Sequence, residues 1–160
     1  MFAESLRTHI DVDILENLNE PSDYRTVEYL HLKVKLDKQI EAGYENGIYY
    51  YYILCNTDGT NINCVMDYED SMGCGHPLYL YGENEYTQVF TTGEMYTVSE
   101  LSSYGAWMFI LLPIFDEAGN VIAELEVGAN LDTLMQEKSE LVKENIITVL
   151  CSCGVMIMLI

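Results

Sequence analysis

An antiparallel α+β fold is predicted for this 160-residue chain by three observations. Two helical patterns open it. Aromatic and β-branched runs separated by Gly-containing turns fill its middle, and another helical pattern closes it. The length suits one domain with a single sizeable core. Its expected parts are a helical segment over residues 1–46, a core of about five strands over 47–131, and a C-terminal helix over 132–160 that runs into a membrane span.

Phe2, Leu6, Ile10, Ile14, Leu15 and Leu18 recur every three to four residues and predict a first amphipathic helix. Asn19-Glu20-Pro21 interrupts it. Ser22 and Asp23 are capping types ahead of a second helix, in which Val27, Leu30, Val34 and Ile40 form the candidate buried stripe. Gly43 and Gly47 punctuate its end. Residues 48–55, IYYYYILC, read as a strand. Thr57-Asp58-Gly59-Thr60 signals a hairpin, because Asp-Gly accepts the positive φ of a tight turn, and residues 61–67 return. Residues 67–77, DYEDSMGCGHP, read as a polar, Gly-rich loop. Residues 83–92 suggest a short helix closed by Gly93, and 95–98 a short strand. Residues 104–115 form the strongest strand, with Pro113 near its end, where a missing donor is tolerable. Glu117-Ala118-Gly119-Asn120 is a turn, and 121–127 pairs back as the last strand.

Charge narrows the function. The chain has 26 acidic residues against 7 basic ones, a formal charge of −19. No basic stripe exists, so nucleic acid is excluded as a partner. The same charge repels an anionic lipid surface and favours solubility and cationic ligands. No G-x-S-x-G elbow, phosphate-binding loop or H-E-x-x-H is present, so no enzyme activity and no catalytic residue are expected. His9 and His31 fall on helical faces as surface residues. His76 lies near Asp67, Glu69, Asp70 and Cys74, but their spacing fits no metal loop. An EF-hand starting at Asp67 needs Gly sixth and Glu twelfth, where Met72 and Leu78 stand. No metal or cofactor is expected.

The chain's last fifteen residues, 146–160, read IITVLCSCGVMIMLI without a charge. They follow LDTLMQEKSELVKEN, a charged segment of helical spacing, with no Pro between. A helix on a globular surface keeps a polar face, and this run has none. A span needs ~20 apolar residues. The expectation is one continuous helix from 131 into a membrane span, of which the sequence shows part. The first residues lack a signal peptide, so an earlier membrane helix is expected to export the domain. Cys151 and Cys153 in the apolar run act as small hydrophobes. That leaves Cys55, Cys64 and Cys74. A Cys64–Cys74 disulfide is the first candidate. Cys55–Cys64 is the second, since a two-residue Asp58-Gly59 turn would set Cys64 opposite Ile53.

Residues 107–131, WMFILLPIFDEAGNVIAELEVGANL, carry a resemblance. An aromatic strand from Trp107 reaches Pro113-Ile114. A turn with Asp116 and Gly119 follows, then Val121-Ile122 and a helix at Leu131-Asp132. This resembles the ending of Cache-type extracytoplasmic sensor domains, which are PAS-like in fold. IYYYYILCNTDGT likewise resembles the strand and turn after that family's long N-terminal helix. The resemblance covers most of 48–131, and no single motif in it is specific. It implies a PAS-like sheet of the single-Cache type, flanked by that helix. The function it implies is the ligand-sensing domain of a bacterial transmembrane receptor. Such a receptor sits in the cell membrane with its soluble domain extracytoplasmic, and pairs as a homodimer through the N-terminal helix. Its output is a chemotaxis domain, a histidine kinase or a GGDEF-type cyclase. Two departures stand. The family's Gly-Val-Asp-like string is replaced by Val127-Gly128-Ala129, and the Arg-x-Trp-Tyr arrangement of the amino-acid-binding subgroup is absent. The rival reading is a membrane-anchored protein-interaction or structural domain without a small ligand.

The predicted pocket lies between the sheet and residues 67–81, a Gly-containing lid. Alternation sets Trp107, Phe109 and Leu111 on one face of their strand and Ala106, Met108 and Ile110 on the other. Tyr50 and Tyr52 share one face of the first strand, and Tyr49 and Tyr51 the other; which set meets the ligand is open. Tyrosine offers an apolar body with a polar tip, suited to a small polar ligand. Trp107 and Phe109 are the candidate aromatic wall, and His76, Tyr79 and Tyr81 the polar contacts. Tyr50 and Tyr52 are added from the first strand, and Asp67 is placed to pair a cationic or amine-bearing group.

Overall fold

The β-rich runs gather into one antiparallel sheet of six strands, one more than predicted. They are β1 (Tyr50–Thr57), β2 (Asn61–Asp67), β3 (His76–Leu80), β4 (Tyr96–Ser102), β5 (Gly105–Phe115) and β6 (Val121–Asn130). Their spatial order is β3-β2-β1-β6-β5-β4, so the last strand lies beside the first at the sheet's centre. The computed structural model describes residues 2–44, 50–82, 84–102 and 105–131, with backbone alone at Tyr44, Tyr50 and Ser102. The predicted C-terminal helix and apolar run lie outside the described residues. Among those described, no helix is long and apolar enough to cross a membrane.

The predicted β5–β6 hairpin forms, with Leu112 opposite Leu125 and Ile110 opposite Val127 across a turn closed by Asp116. The first hairpin differs in register. Four residues, not two, separate the pair Thr57–Ile62, because the Asp58 carboxylate caps the backbone of both Thr60 and Asn61 at 2.7 Å. A bulge follows, and Cys55 stands directly opposite Cys64 rather than diagonal to it. All three described cysteines are free thiols. The extra strand is β3. Residues 67–81 divide: the first part, to Met72, borders the cleft described below, and the second, from His76, pairs along β2 as the sheet edge rather than covering the face. Pro77 suits an edge because it has no donor to offer a ladder.

The predicted first helix is two pieces, α1 (Phe2–Arg7) and α2 (Val12–Leu15). Asp11 in extended conformation starts the second by accepting from Ile14 N, and this local cap overrides the continuous apolar spacing. The long helix is α3 (Val27–Tyr44). Its buried stripe is Tyr29, Leu32, Leu36 and Ile40, whereas Val27, Leu30 and Val34 are exposed. Both stripes satisfy helical spacing. The buried one also carries Lys33, whose ammonium meets the carbonyls of Asp67 and Tyr68 at 2.9 and 3.0 Å. α4 (Glu85–Thr92) forms as predicted, capped by Asn84 and ended by Gly93 at φ 68°.

The sheet buries both faces. Helices α1 to α3 cover one, where Leu54, Met66, Leu112 and Leu125 meet Leu6, Leu32 and Leu36. The short α4 covers part of the other, where Val89 packs with Phe109 and Leu111 among Tyr51, Tyr86 and Trp107.

Candidate functional site

Because α4 spans only part of its face, a cleft of about 660 Å³ opens at the end where β1 and β5 begin and β2 and β6 end. Its volume falls within the range of small-molecule sites. Trp107 of β5 stands opposite Asn130 of β6, and both line it. Tyr51 of β1 forms the adjoining wall, its ring edge-on to Trp107 with centroids 5.6 Å apart. Gly128 makes that placement feasible. It lies opposite Tyr51, and a Cβ there would overlap the Tyr51 ring.

The far wall is the turn after β2, with Tyr68, Glu69, Ser71 and Met72 at the cleft. The Asp67 carboxylate builds it, accepting from Ser71 N at 2.9 Å, Ser71 Oγ at 2.8 Å and Met72 N at 3.1 Å. Asp70 pins it from behind. This residue takes φ 55° and pairs with Arg25, itself at φ 64°, at 3.0 Å. It also accepts from the Tyr24 and Tyr29 hydroxyls. Burial pushes the Asp70 carboxyl up, but Arg25, Tyr24 and Lys33 outweigh it and hold it below the usual carboxylate range.

Beneath α4, next to the cleft, lies a buried polar network. Glu126 of β6 accepts from Tyr51 at 2.8 Å and from Tyr86 of α4 at 3.0 Å. Tyr86 stacks on Tyr79 of β3 with centroids 4.2 Å apart. Burial raises the Glu126 carboxyl, and the two phenol donors partly counter it. Two residues earlier, Glu124 is fully buried, and neither carboxyl oxygen has a hydrogen-bond partner among the described residues. Burial, then the neighbouring Glu126, pushes its carboxyl up to about 9, so it is neutral at pH 7. Cys55 stands opposite it, its thiol raised first by the same burial.

Of the predicted site residues, the structure brings Trp107 and Asp67 to the cleft, but Asp67 is 3% exposed and committed to the turn. It is a framework residue rather than a free anion. Tyr52 borders the cleft, yet its ring is buried on the opposite face, where its hydroxyl donates to Asp37 of α3 at 2.9 Å. The side chain of Tyr50 lies outside the described residues. Phe109 packs under Tyr51 in the core. His76, Tyr79 and Tyr81 go elsewhere, on β3 and just after it, because pairing with β2 carries them along the sheet edge. Sequence reasoning left Tyr51 in one of two open sets, reached Tyr68 and Glu69 only as part of the 67–81 segment, and missed the Glu124–Glu126 pair. Alternation in Val121–Asn130 does put both glutamates on the Gly128 face. A charged strand face reads as solvent-exposed, and only the helix above it reveals otherwise. No group of three or more His, Cys, Asp or Glu among the described residues is placed to hold a metal ion.

No family model matches the chain, and no curated protein matches it. Among solved structures, the chain is similar to a putative GAF sensor protein from Burkholderia vietnamiensis. That match has a TM-score of 0.45 and 13% identity, over 79% of this chain and 68% of that one. The functional reading therefore stands on the cleft itself.

Proposed function

We propose that this chain is a ligand-sensing domain of a signalling protein, a binding module rather than an enzyme. The observation that carries it is the partly open, aromatic-walled cleft of about 660 Å³ at the ends of the central strands. A filled, dry sheet face would favour the interaction-domain reading instead. The cleft also borders Asn130, the last residue of β6, next to Leu131, where the sequence predicts the outgoing helix. A ligand that binds one arrangement of that strand end more tightly than another shifts the helix that follows.

The finer reading is the single-Cache type of sensor, extracytoplasmic and anchored by the apolar run at 146–160. Its support is the strand order of the ending and the run itself. Two-fold pairing along α3 is the proposed assembly, supported by Val27, Leu30 and Val34, which are 79%, 46% and 52% exposed on one stripe.

A thermal-shift screen of small metabolites tests the core of the proposal. A ligand that binds only the folded chain raises its apparent stability. Trp107→Ala should abolish that rise for the same ligand. A ligand whose affinity survives Trp107→Ala binds elsewhere, and the cleft is then not the sensing site.

A further inference from the structure

We infer that the cleft recognises a small organic cation, a ligand presenting an alkylated or primary ammonium group. This rests on the sensing role proposed above and names the ligand's chemistry. Two rings set at an angle make the corner of the site: Tyr51 and Trp107, inclined at 62°. Tyr68 and Met72 face them from the turn after β2. Aromatic faces carry a negative potential that attracts a cation, and tryptophan is the strongest of them. The Tyr51 hydroxyl donates to Glu126 at 2.8 Å, which returns electron density to its ring.

The charges around the cleft point the same way. Its exposed acidic lining residue is Glu69, and among the described residues no Lys, Arg or His lines it. Lys33, whose ammonium reaches the turn, is held by Asp37 at 3.1 Å and by the Asp67 and Tyr68 carbonyls. It supplies no free positive charge to an anion. The formal charge of −19 adds a long-range attraction for cations. An anionic ligand would find no basic partner among the described lining residues. Among the described lining residues, a sugar-like ligand would find few amide or aliphatic hydroxyl side chains, chiefly Ser71 and Asn130. An alkylated ammonium fits, because its charge is spread over methyl groups that rings can contact.

The sequence supplies its own reporter, since Trp107 is the sole tryptophan. The full chain is titrated with tetramethylammonium, choline and a panel of primary amines at constant ionic strength. The readouts are Trp107 emission and calorimetry. The control is 3,3-dimethylbutan-1-ol, which has the shape of choline without its charge. A member of the cation set is expected to saturate the emission change, and the neutral isostere of choline to bind at least about tenfold more weakly than choline. Tyr68→Leu, which keeps the reporter, should weaken the cation about tenfold. Glu69→Gln, at an exposed position, should weaken it less and flatten the dependence on salt, with urea unfolding run beside it to check that the variant is folded. Equal binding of choline and its isostere overturns the cation class. So does a screen in which only neutral or anionic compounds stabilise the chain, and in that case the sensing role survives. If no small molecule binds the folded chain, the sensing role fails as well.

Discussion

Each face of the sheet buries a residue that is charged in water, and the two are treated in opposite ways. On the α3 face, Lys33 is 8% exposed and fully occupied: Asp37 supplies a carboxylate, and Asp67 and Tyr68 supply carbonyls. It ties α3 to the end of β2 within an otherwise apolar core. On the α4 face, Glu124 is fully buried with no hydrogen-bond partner among the described residues, beside a second buried carboxyl. A satisfied buried charge secures a framework, whereas a buried carboxyl kept neutral and without hydrogen bonds is a standing cost. The α3 face is therefore built for stability. The α4 face carries the polar groups, the incomplete cover and the cleft. Local departures from packing rules of this kind concentrate where function resides.

The largest effect that can break this comparison comes from Glu124. Its folded carboxyl holds its proton up to about pH 9, while the unfolded chain releases it near 4.5. The contribution is undiminished below pH 4.5, and stability falls as pH rises towards 9, by roughly 1.4 kcal/mol per unit. Glu124→Met removes that slope and should stabilise the fold by on the order of 4 kcal/mol at pH 8, with a smaller gain at pH 5. Urea unfolding of both proteins at the two pH values measures it. An unchanged difference between the two pH values would mean that Glu124 is ionised and partnered when folded.

The opposite face supplies the next test. Leu36 of α3 is fully buried against the sheet. Leu36→Ala should cost about 3 kcal/mol, at all pH values alike. Any cleft ligand should keep its affinity for the protein that remains folded, since Leu36 lies across the sheet from the cleft. Loss of affinity together with stability would show that the two faces are not separable.

The same asymmetry explains what was legible in the sequence. The two faces of β5 were readable as Trp107, Phe109 and Leu111 against Ala106, Met108 and Ile110, because alternation along a strand separates its faces directly. The β5–β6 hairpin and α4 with its Gly93 end followed from turn and cap chemistry. The α3 stripe was misread because Tyr29 to Ile40 and Val27 to Val34 share helical spacing, and only the tertiary partners of Lys33 choose between them. The cleft was legible through Trp107 and through the start of the 67–81 segment, but not in its detail. Tyr51 was one of two open sets, and the Tyr68–Met72 wall depends on Asp67 capping its own turn. That side-chain arrangement has no periodic signature. The β3 edge was hidden because Gly and Pro around His76 resemble a loop as much as an edge strand.

A smaller stability effect with a larger functional one is expected at Gly128. Its backbone needs no glycine conformation, so Ala is tolerated by the chain itself. The added methyl group would meet the outer atoms of the Tyr51 ring and turn that ring away. Tyr51 would lose its hydrogen bond to Glu126 and its place beside Trp107. Gly128→Ala should cost about 1–2 kcal/mol, and it should strongly weaken any cleft ligand. Retained affinity in the folded variant would remove Tyr51 from the site.

The smallest expected change in stability is at the exposed stripe of α3. Leu30 is 46% exposed between Val27 and Val34, and none of the three contributes to the core. Surface substitutions away from packed features stay within about 0.5 kcal/mol. Leu30→Glu should therefore leave the unfolding midpoint of the isolated chain nearly unchanged. If α3 pairs two copies, however, a carboxylate on each helix meets its twin across the two-fold axis and is desolvated there. The variant should then sediment as a monomer at concentrations where the parent is a dimer. A parent that is monomeric throughout, or a Leu30→Glu dimer of unchanged affinity, would remove α3 as the pairing surface. The cleft and its ligand chemistry on the other face would be untouched by that result.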